Sequence, residues 1–269
     1  MPAAELASVD GRITDRSAAL IPAADDGLLR GDGVFEVIRL YAGRPFALAE
    51  HLDRLERSAA ALELPIDRRA FDAEISTLLA EFGQDEGQLR LVATRGGRRL
   101  AFTENLPPYA TSESAAVITI TYTPTLILNG VKSLSYAANM QALRTAASRG
   151  ADDAVFVRPD GIVLEAPTST IFWVTGEGRL RTPGIDVGIL ASITRDRLVR
   201  ELDVEEGAFP LEDLEGASEA FIASTVREVQ AISAVNETTL PECPGPRTKE
   251  AAAAFEAILD RELAASPSG

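Results

Sequence analysis

The sequence predicts an α/β protein of two domains, and three observations carry that expectation. The chain has 269 residues, which at roughly 100–200 residues per domain is one large unit or two moderate ones. Runs rich in β-branched residues, 117–121 the clearest, alternate with segments whose apolar residues recur every three or four positions. Turn residues cluster near the middle, at Tyr122-Thr123-Pro124-Thr125 and Asn129-Gly130. A first domain over 1–122, a linker over 123–130 and a second domain over 131–269 are therefore expected.

Each element follows from its local pattern. Val9-Asp10-Gly11-Arg12 reads as a turn between two short strands. A strand over 34–40 is turned back by Ala42-Gly43-Arg44-Pro45 into Phe46-Ala47-Leu48. Leu48, Leu52, Leu55, Ala59 and Leu62 step by four, three, four and three, which is one helix face, and Pro65 stops that helix. A second helix over 71–82 ends near Gly83, and strands over 88–94 and 115–122 follow. Beyond the linker a helix over 138–149 ends at Gly150. Segments 153–157 and 162–165 form a hairpin around Pro159-Asp160-Gly161. Strands over 170–174 and 179–182 are joined through Gly176-Glu177-Gly178. A loop over 184–192 feeds a helix over 194–202, strands follow over 219–223 and 229–235, and a helix over 248–263 precedes a frayed end at 264–269.

Composition removes several function classes. The 26 basic residues against 41 acidic ones give a net charge of −15. Without a Lys/Arg-rich run, that balance argues against nucleic acid or an anionic membrane as partner. There is one His, His51, and one Cys, Cys243. A zinc site of several His and Cys ligands is excluded, no disulfide can close within the chain, and a reducing cytoplasm is expected. No secretory pattern is seen over 1–10 and no uninterrupted apolar run is long enough to span a bilayer. The basic residues are 24 Arg and only 2 Lys, Lys132 and Lys249. A lysine kept in such a chain is a candidate for a place where a guanidinium cannot serve, since only the amine can deprotonate and attack a carbonyl.

Five places could hold chemistry, each with a plainer alternative. Lys132 lies among apolar and small hydroxylic residues in Val131-Lys132-Ser133-Leu134-Ser135-Tyr136. Desolvation there would lower its pKa and make it a Schiff-base nucleophile, or it is a strand lysine reaching water. Glu165 ends the apolar run 162–164, as a functional carboxylate or an exposed strand-end charge. The small-residue loop 188–192 feeds a helix N-terminus at Ile193-Thr194, which can hold a phosphate or be an ordinary cap by Ser192 or Thr194. Arg54 is either a phosphate clamp or an exposed helix-face partner of Glu50. Ser224-Thr225 ends a strand, as a hydroxyl pair or an ordinary turn. Gly31-Asp32-Gly33 is not a dinucleotide loop, because a third glycine in register is missing and a strand follows.

The order of these signals is more specific than any one of them. Asp32-Gly33-Val34-Phe35-Glu36, His51-Leu52-Asp53-Arg54-Leu55, Lys132-Ser133-Leu134, Glu165 with Ser169-Thr170-Ile171-Phe172, Gly188-Ile189-Leu190 with Ile193-Thr194-Arg195, and Ser224-Thr225 with Glu228-Val229 together resemble the class IV aminotransferases. These are pyridoxal 5′-phosphate enzymes of fold type IV, and the resemblance runs from about Asp26 to Val235. It implies a small α/β domain, a larger domain with a β-barrel-like core, and a homodimer whose partner subunit completes the pocket. It implies that Lys132 forms the Schiff base with the cofactor and moves the proton, and that Glu165 bonds the pyridine nitrogen. Arg54, Ile193, Thr194, Ser224 and Thr225 would hold the phosphate end, Leu190 would pack on the ring, and Tyr136 would bond the phenolic oxygen. Phe35, Arg95, Arg98 and Val226 would face the substrate. The chain departs from the family at Thr170 and Ser135, where Asn is frequent.

The resemblance implies one of three reactions on a small amino acid and a 2-oxo acid, or on a close analogue. Transamination of D-amino acids is favoured, because Arg95-Gly96-Gly97-Arg98-Arg99 resembles the region where D-specific members place a carboxylate-binding arginine. That run is otherwise a solvated basic turn. It would equally suit the dianionic substrate of 4-amino-4-deoxychorismate lyase, and Ile171-Phe172-Trp173 looks like lyase-type members. Branched-chain transamination is third. A cofactor-binding dimer without turnover is disfavoured by the presence of both Lys132 and Glu165.

Overall fold

The computed structural model describes residues 5–124 and 126–265. Met1–Ala4, Thr125 of the expected linker and residues 266–269 of the expected frayed end lie outside them. The chain divides into two compact units. The first runs to Pro107 and takes in Val131–Tyr136; the second holds Pro108–Gly130 and everything from Ala137 onward.

The first unit contains β1 (Leu6–Val9), β2 (Arg12–Asp15), α1 (Asp26–Arg30), β3 (Gly33–Tyr41), β4 (Arg44–Pro45), α2 (Leu48–Ala61), α3 (Arg68–Phe82), β5 (Gly87–Thr94) and β6 (Arg99–Glu104). The strands form one antiparallel sheet in the order β2-β1-β6-β5-β3-β4. Its hairpins close as the turn residues require. Asp10 and Gly11 both have positive φ, as do Ala42 and Gly43. On one face Val34, Ile38 and Leu40 of β3 pack with Leu52, Leu55 and Ala59 of α2 and Phe71, Ile75 and Leu78 of α3. Burying each Leu of that helix face contributes about 1.5–3 kcal/mol. On the other face Phe35, Val92 and Leu100 form a smaller cluster with Leu134 and Tyr136.

The second unit contains β7 (Ser114–Thr121), α4 (Ala137–Ser148), β8 (Asp153–Val157), β9 (Thr170–Val174), β10 (Leu180–Pro183), α5 (Ile193–Glu201), β11 (Val204–Gly207), α6 (Leu211–Glu215), β12 (Glu219–Ser224), β13 (Glu228–Val235), β14 (Thr238–Thr239) and α7 (Pro246–Ala265). Its curled eight-stranded sheet runs β11-β10-β9-β12-β13-β7-β8, with β14 on β13. The pairings β10–β11, β13–β7 and β7–β8 are parallel and the rest antiparallel. The central strands β9 and β12 are almost wholly buried. Their facing Phe172 and Phe221 stack with centroids 4.8 Å apart, a pair worth about 0.5–1.5 kcal/mol beyond its area.

The contacts draw the division elsewhere than turn residues suggested. β7 belongs with the second sheet, because it pairs with β8 and β13, both distant in sequence. Val131–Tyr136 returns to the first unit, because β4 is only two residues long and leaves the Gly33 end of β3 with an open edge. The expected hairpin at 153–165 is split between partners: Phe156 N–H donates to the Glu165 carbonyl and Leu164 N–H to the Phe156 carbonyl, but the Val163 N–H goes to Phe209. Five elements carried no strong local signal, namely α1, β6, β11, α6 and β14.

Candidate active site

In the first unit the site is built around the Lys132 backbone. Phe35 N–H donates to the Lys132 carbonyl at 3.0 Å, and Leu134 N–H donates to the Gly33 carbonyl at 2.8 Å. Lys132 N–H donates to Ser58 Oγ of α2 at 3.2 Å. The segment is therefore held by a strand edge on one side and a helix hydroxyl on the other. Gly33 is needed for this approach: a Cβ there would collide with the Ala93 carbonyl and lie 2.7 Å from a Leu134 methyl. The Lys132 amine sits 4.5 Å from the Phe35 ring centroid and 6.0 Å from that of Tyr136, and the two rings meet edge to face at 5.1 Å.

Below this segment lies a buried charge cluster. Arg54 Nε donates to Glu36 Oε1 at 2.7 Å and Nη2 donates to Oε2 at 2.8 Å. His51 Nδ1 lies 2.8 Å from Glu36 Oε2. Glu36 and His51 are fully buried and Arg54 is 6 % exposed. Arg54 is thus no exposed helix-face residue; it pairs across to a strand in the core. Burial alone would raise the Glu36 carboxyl, but the Arg54 charge and the hydrogen bonds from Arg54 and His51 overcome it and hold the group well below its ordinary 4.5. Burial drives His51 below its ordinary 6.5, against the pull of Glu36 and with help from Arg54 and Lys132. A neutral imidazole facing a carboxylate through Nδ1 carries its proton there and donates it. Its Nε2 is buried without a hydrogen-bond partner among the described residues.

Arg95 and Arg98 are anchored in the β5–β6 turn. Arg95 donates to Asp32 and to the Leu62 and Glu63 carbonyls that end α2, and Arg98 donates to Asp10. Both guanidiniums are about one-third exposed.

In the second unit Leu190 N–H donates to Glu165 Oε1 at 3.1 Å, so two of the expected residues meet directly. Glu165 lies outside a regular strand, with its carbonyl accepting from Phe156 N–H. Directly after Pro167-Thr168, the hydroxyls of Ser169 and Thr170 are buried without a hydrogen-bond partner among the described residues. Ser192 caps α5, accepting from Arg195 N–H at 3.3 Å, and Ile193 and Thr194 are buried at its first turn. The α5 helix packs against β12, whose last residue Ser224 accepts from Arg227 N–H at 3.2 Å. Thr225 and Val226 occupy the tight turn between β12 and β13.

Taken separately, each unit presents donor types of the kind that suit pyridoxal phosphate. The first supplies the amine and a buried guanidinium; the second supplies a carboxylate, a helix N-terminus and a hydroxyl turn. The sequence reading gave no role to Glu36, although it alternates with Val34 and Ile38 on the helix-covered face of β3. A carboxylate in that register requires a buried partner. His51 and Arg54, three positions apart on α2, are its partners.

The model of the class IV amino-transferase family matches residues 33–235. A D-alanine aminotransferase of Bacillus licheniformis is 32 % identical over 279 aligned positions, covering 95 % of this chain and 97 % of its own. A bifunctional aminodeoxychorismate lyase/D-amino acid transaminase of Mycobacterium tuberculosis is 32 % identical, covering 88 % of this chain and 93 % of its own. Among solved structures, a "hypothetical aminotransferase" of M. tuberculosis in its PLP-bound form superimposes with a TM-score of 0.85 at 28 % identity, over 95 % of this chain and 100 % of that one. Among the described residues, no helix is long and apolar enough to cross a membrane.

Proposed function

The chain belongs to the class IV aminotransferases, which are pyridoxal phosphate enzymes, and on that premise we propose that it moves an amino group between a small D-amino acid and a 2-oxo acid. The observation that carries the reading is the seat of Lys132: a lysine in an arginine-rich chain, its backbone fixed by Phe35 and Ser58 and its amine set against aromatic rings. Bound pyridoxal phosphate supplies a sink for the electrons left when the donor's α-carbon loses its proton. Lys132 anchors that group through its amine and takes and returns the proton. Glu165, one oxygen fixed by the Leu190 amide, keeps the pyridine nitrogen protonated. Arg54, Ile193, Thr194, Ser224 and Thr225 hold the phosphate, Leu190 packs on the ring and Tyr136 bonds the phenolic oxygen. Phe35, Arg95, Arg98 and Val226 face the substrate. The exposed ion pairs of Arg95 and Arg98 are worth only about 0.2–1 kcal/mol each, so a substrate carboxylate can exchange with Asp32 or Asp10 at small cost. A homodimer in a reducing cytoplasm completes the reading.

The second reading is aminodeoxychorismate lyase, favoured by the bifunctional relative. A half-reaction panel separates the two. D-Alanine, D-glutamate, L-leucine, an (R)-amine and aminodeoxychorismate would be added to the holoenzyme and the cofactor absorbance followed. A response to the D-amino acids is expected. A response to L-leucine alone assigns the branched-chain reaction, pyruvate release from aminodeoxychorismate assigns the lyase, and silence with every donor removes the enzymatic reading.

Glu165→Gln is expected to slow α-proton abstraction by about 10²-fold while changing pyridoxal phosphate affinity little, because an amide does not keep the ring nitrogen protonated. Single-turnover kinetics beside a cofactor titration measure both, and unchanged kinetics would count against the assigned role.

A further inference from the structure

The turn between β12 and β13 is bolted to a distant strand by a buried ion pair. Ser224 and Glu228 are the last paired residues, leaving 225–227 to reverse the chain. Glu228 has a φ of 57°, in the left-handed region that non-glycine residues avoid. Such a residue persists where its surroundings over-determine it. Here the surroundings are the contacts of Arg227. Its Nη2 donates to Asp153 Oδ2 at 2.7 Å, its Nη1 donates to Gln230 Oε1, and its guanidinium lies 4.3 Å from the Tyr109 ring centroid. Gln230 in turn donates to the Tyr109 and Ser112 carbonyls at 3.2 and 2.8 Å. Asp153 is fully buried at the start of β8, and its other oxygen accepts from Ala154 N–H at 2.8 Å. The pair spans from the β12–β13 turn across β13 and β7 to β8.

We propose that the Arg227–Asp153 pair is a positioning device for this turn, holding Thr225 and Val226 in the conformation that receives the phosphate end of pyridoxal phosphate. The proposal rests on the functional reading above, in which Thr225 holds the phosphate. Both terminal nitrogens of Arg227 are committed within the protein, so Arg227 acts through the turn and not on the ligand. A turn set by this pair governs phosphate recognition specifically. A pair that merely stabilised the sheet would affect every form of the ligand alike.

Apoprotein would be titrated with pyridoxal 5′-phosphate and with pyridoxal, which lacks the phosphate, for wild type, Arg227→Met and Arg227→Lys. Arg227→Met is expected to weaken pyridoxal phosphate binding about tenfold or more, the scale of one charge-assisted hydrogen bond, and pyridoxal binding by less than about twofold. Arg227→Lys keeps the charge opposite Asp153 and is expected to recover part of the lost affinity; it carries the test if the Met variant does not fold. Equal losses for the two ligands, or no loss, overturn the proposal while leaving the functional reading intact. A wild-type protein that binds neither ligand overturns both.

Discussion

Lys132→Arg is expected to leave the fold in place and to lower turnover by more than about 10³-fold, since covalent attachment is lost together with a proton transfer worth about 10²–10⁴ alone. The fold survives because the contacts that seat this residue are made by its backbone, to Phe35 and Ser58, and a guanidinium can occupy the cation site over the Phe35 ring. Chemistry fails because a guanidinium stays protonated at any working pH and offers no lone pair to a carbonyl. Circular dichroism of the variant beside steady-state assays with the best donor makes the test. Appreciable multiple turnover in the variant would refute the assignment of Lys132. The second lysine, Lys249, lies in the first turns of α7, outside the motifs that carry the family resemblance.

Glu36→Ala is expected to lower the free energy of unfolding by about 3–5 kcal/mol, because it strands a buried guanidinium whose carboxylate partner is removed. The loss exceeds that of an exposed pair because Glu36 is fully buried and accepts from both Arg54 and His51. Urea titration would measure it, and a loss below about 1 kcal/mol, the scale of a surface ion pair, would contradict the geometry. The same cluster sets a pH dependence. Glu36 and His51 are both held below their ordinary values of 4.5 and 6.5 in the folded protein. Between the folded and unfolded values the unfolded chain binds more protons, so stability rises with pH across that window. The His51 contribution is lost as pH falls below 6.5, and the Glu36 contribution is full above 4.5 and falls progressively below it. Glu36→Gln should flatten the part below 4.5 relative to wild type. A slope identical in the two proteins would show that the Glu36 carboxylate is not the group responsible.

Much of the element list was legible because it is written locally. The three-four spacing of Leu52, Leu55 and Ala59 gives α2, positive-φ turn residues at Gly11 and Gly43 close two hairpins, and Gly83 and Gly150 follow the ends of α3 and α4. The motif order was legible for the same reason, and it led to the family that matches residues 33–235. Short elements escaped: α1 and α6 are five residues each and β11 is four, too short for a period to register.

The tertiary structure alone decided where the charges of the site go. From residues on one helix, Arg54 could equally have faced Glu50; only the approach of β3 buries it against Glu36, 18 positions away in sequence. Arg227 and Asp153 are 74 positions apart, and no local pattern couples them. Val131–Tyr136 looked like the start of the second domain, yet a two-residue β4 leaves a strand edge for it in the first. The sequence by itself determined the family, through an order of motifs each written over a few residues, and much of the element list, because backbone propensity and apolar period act over the same short range. Burial, pairing and the resulting protonation states needed the fold, because they depend on which distant segments exclude water from one another.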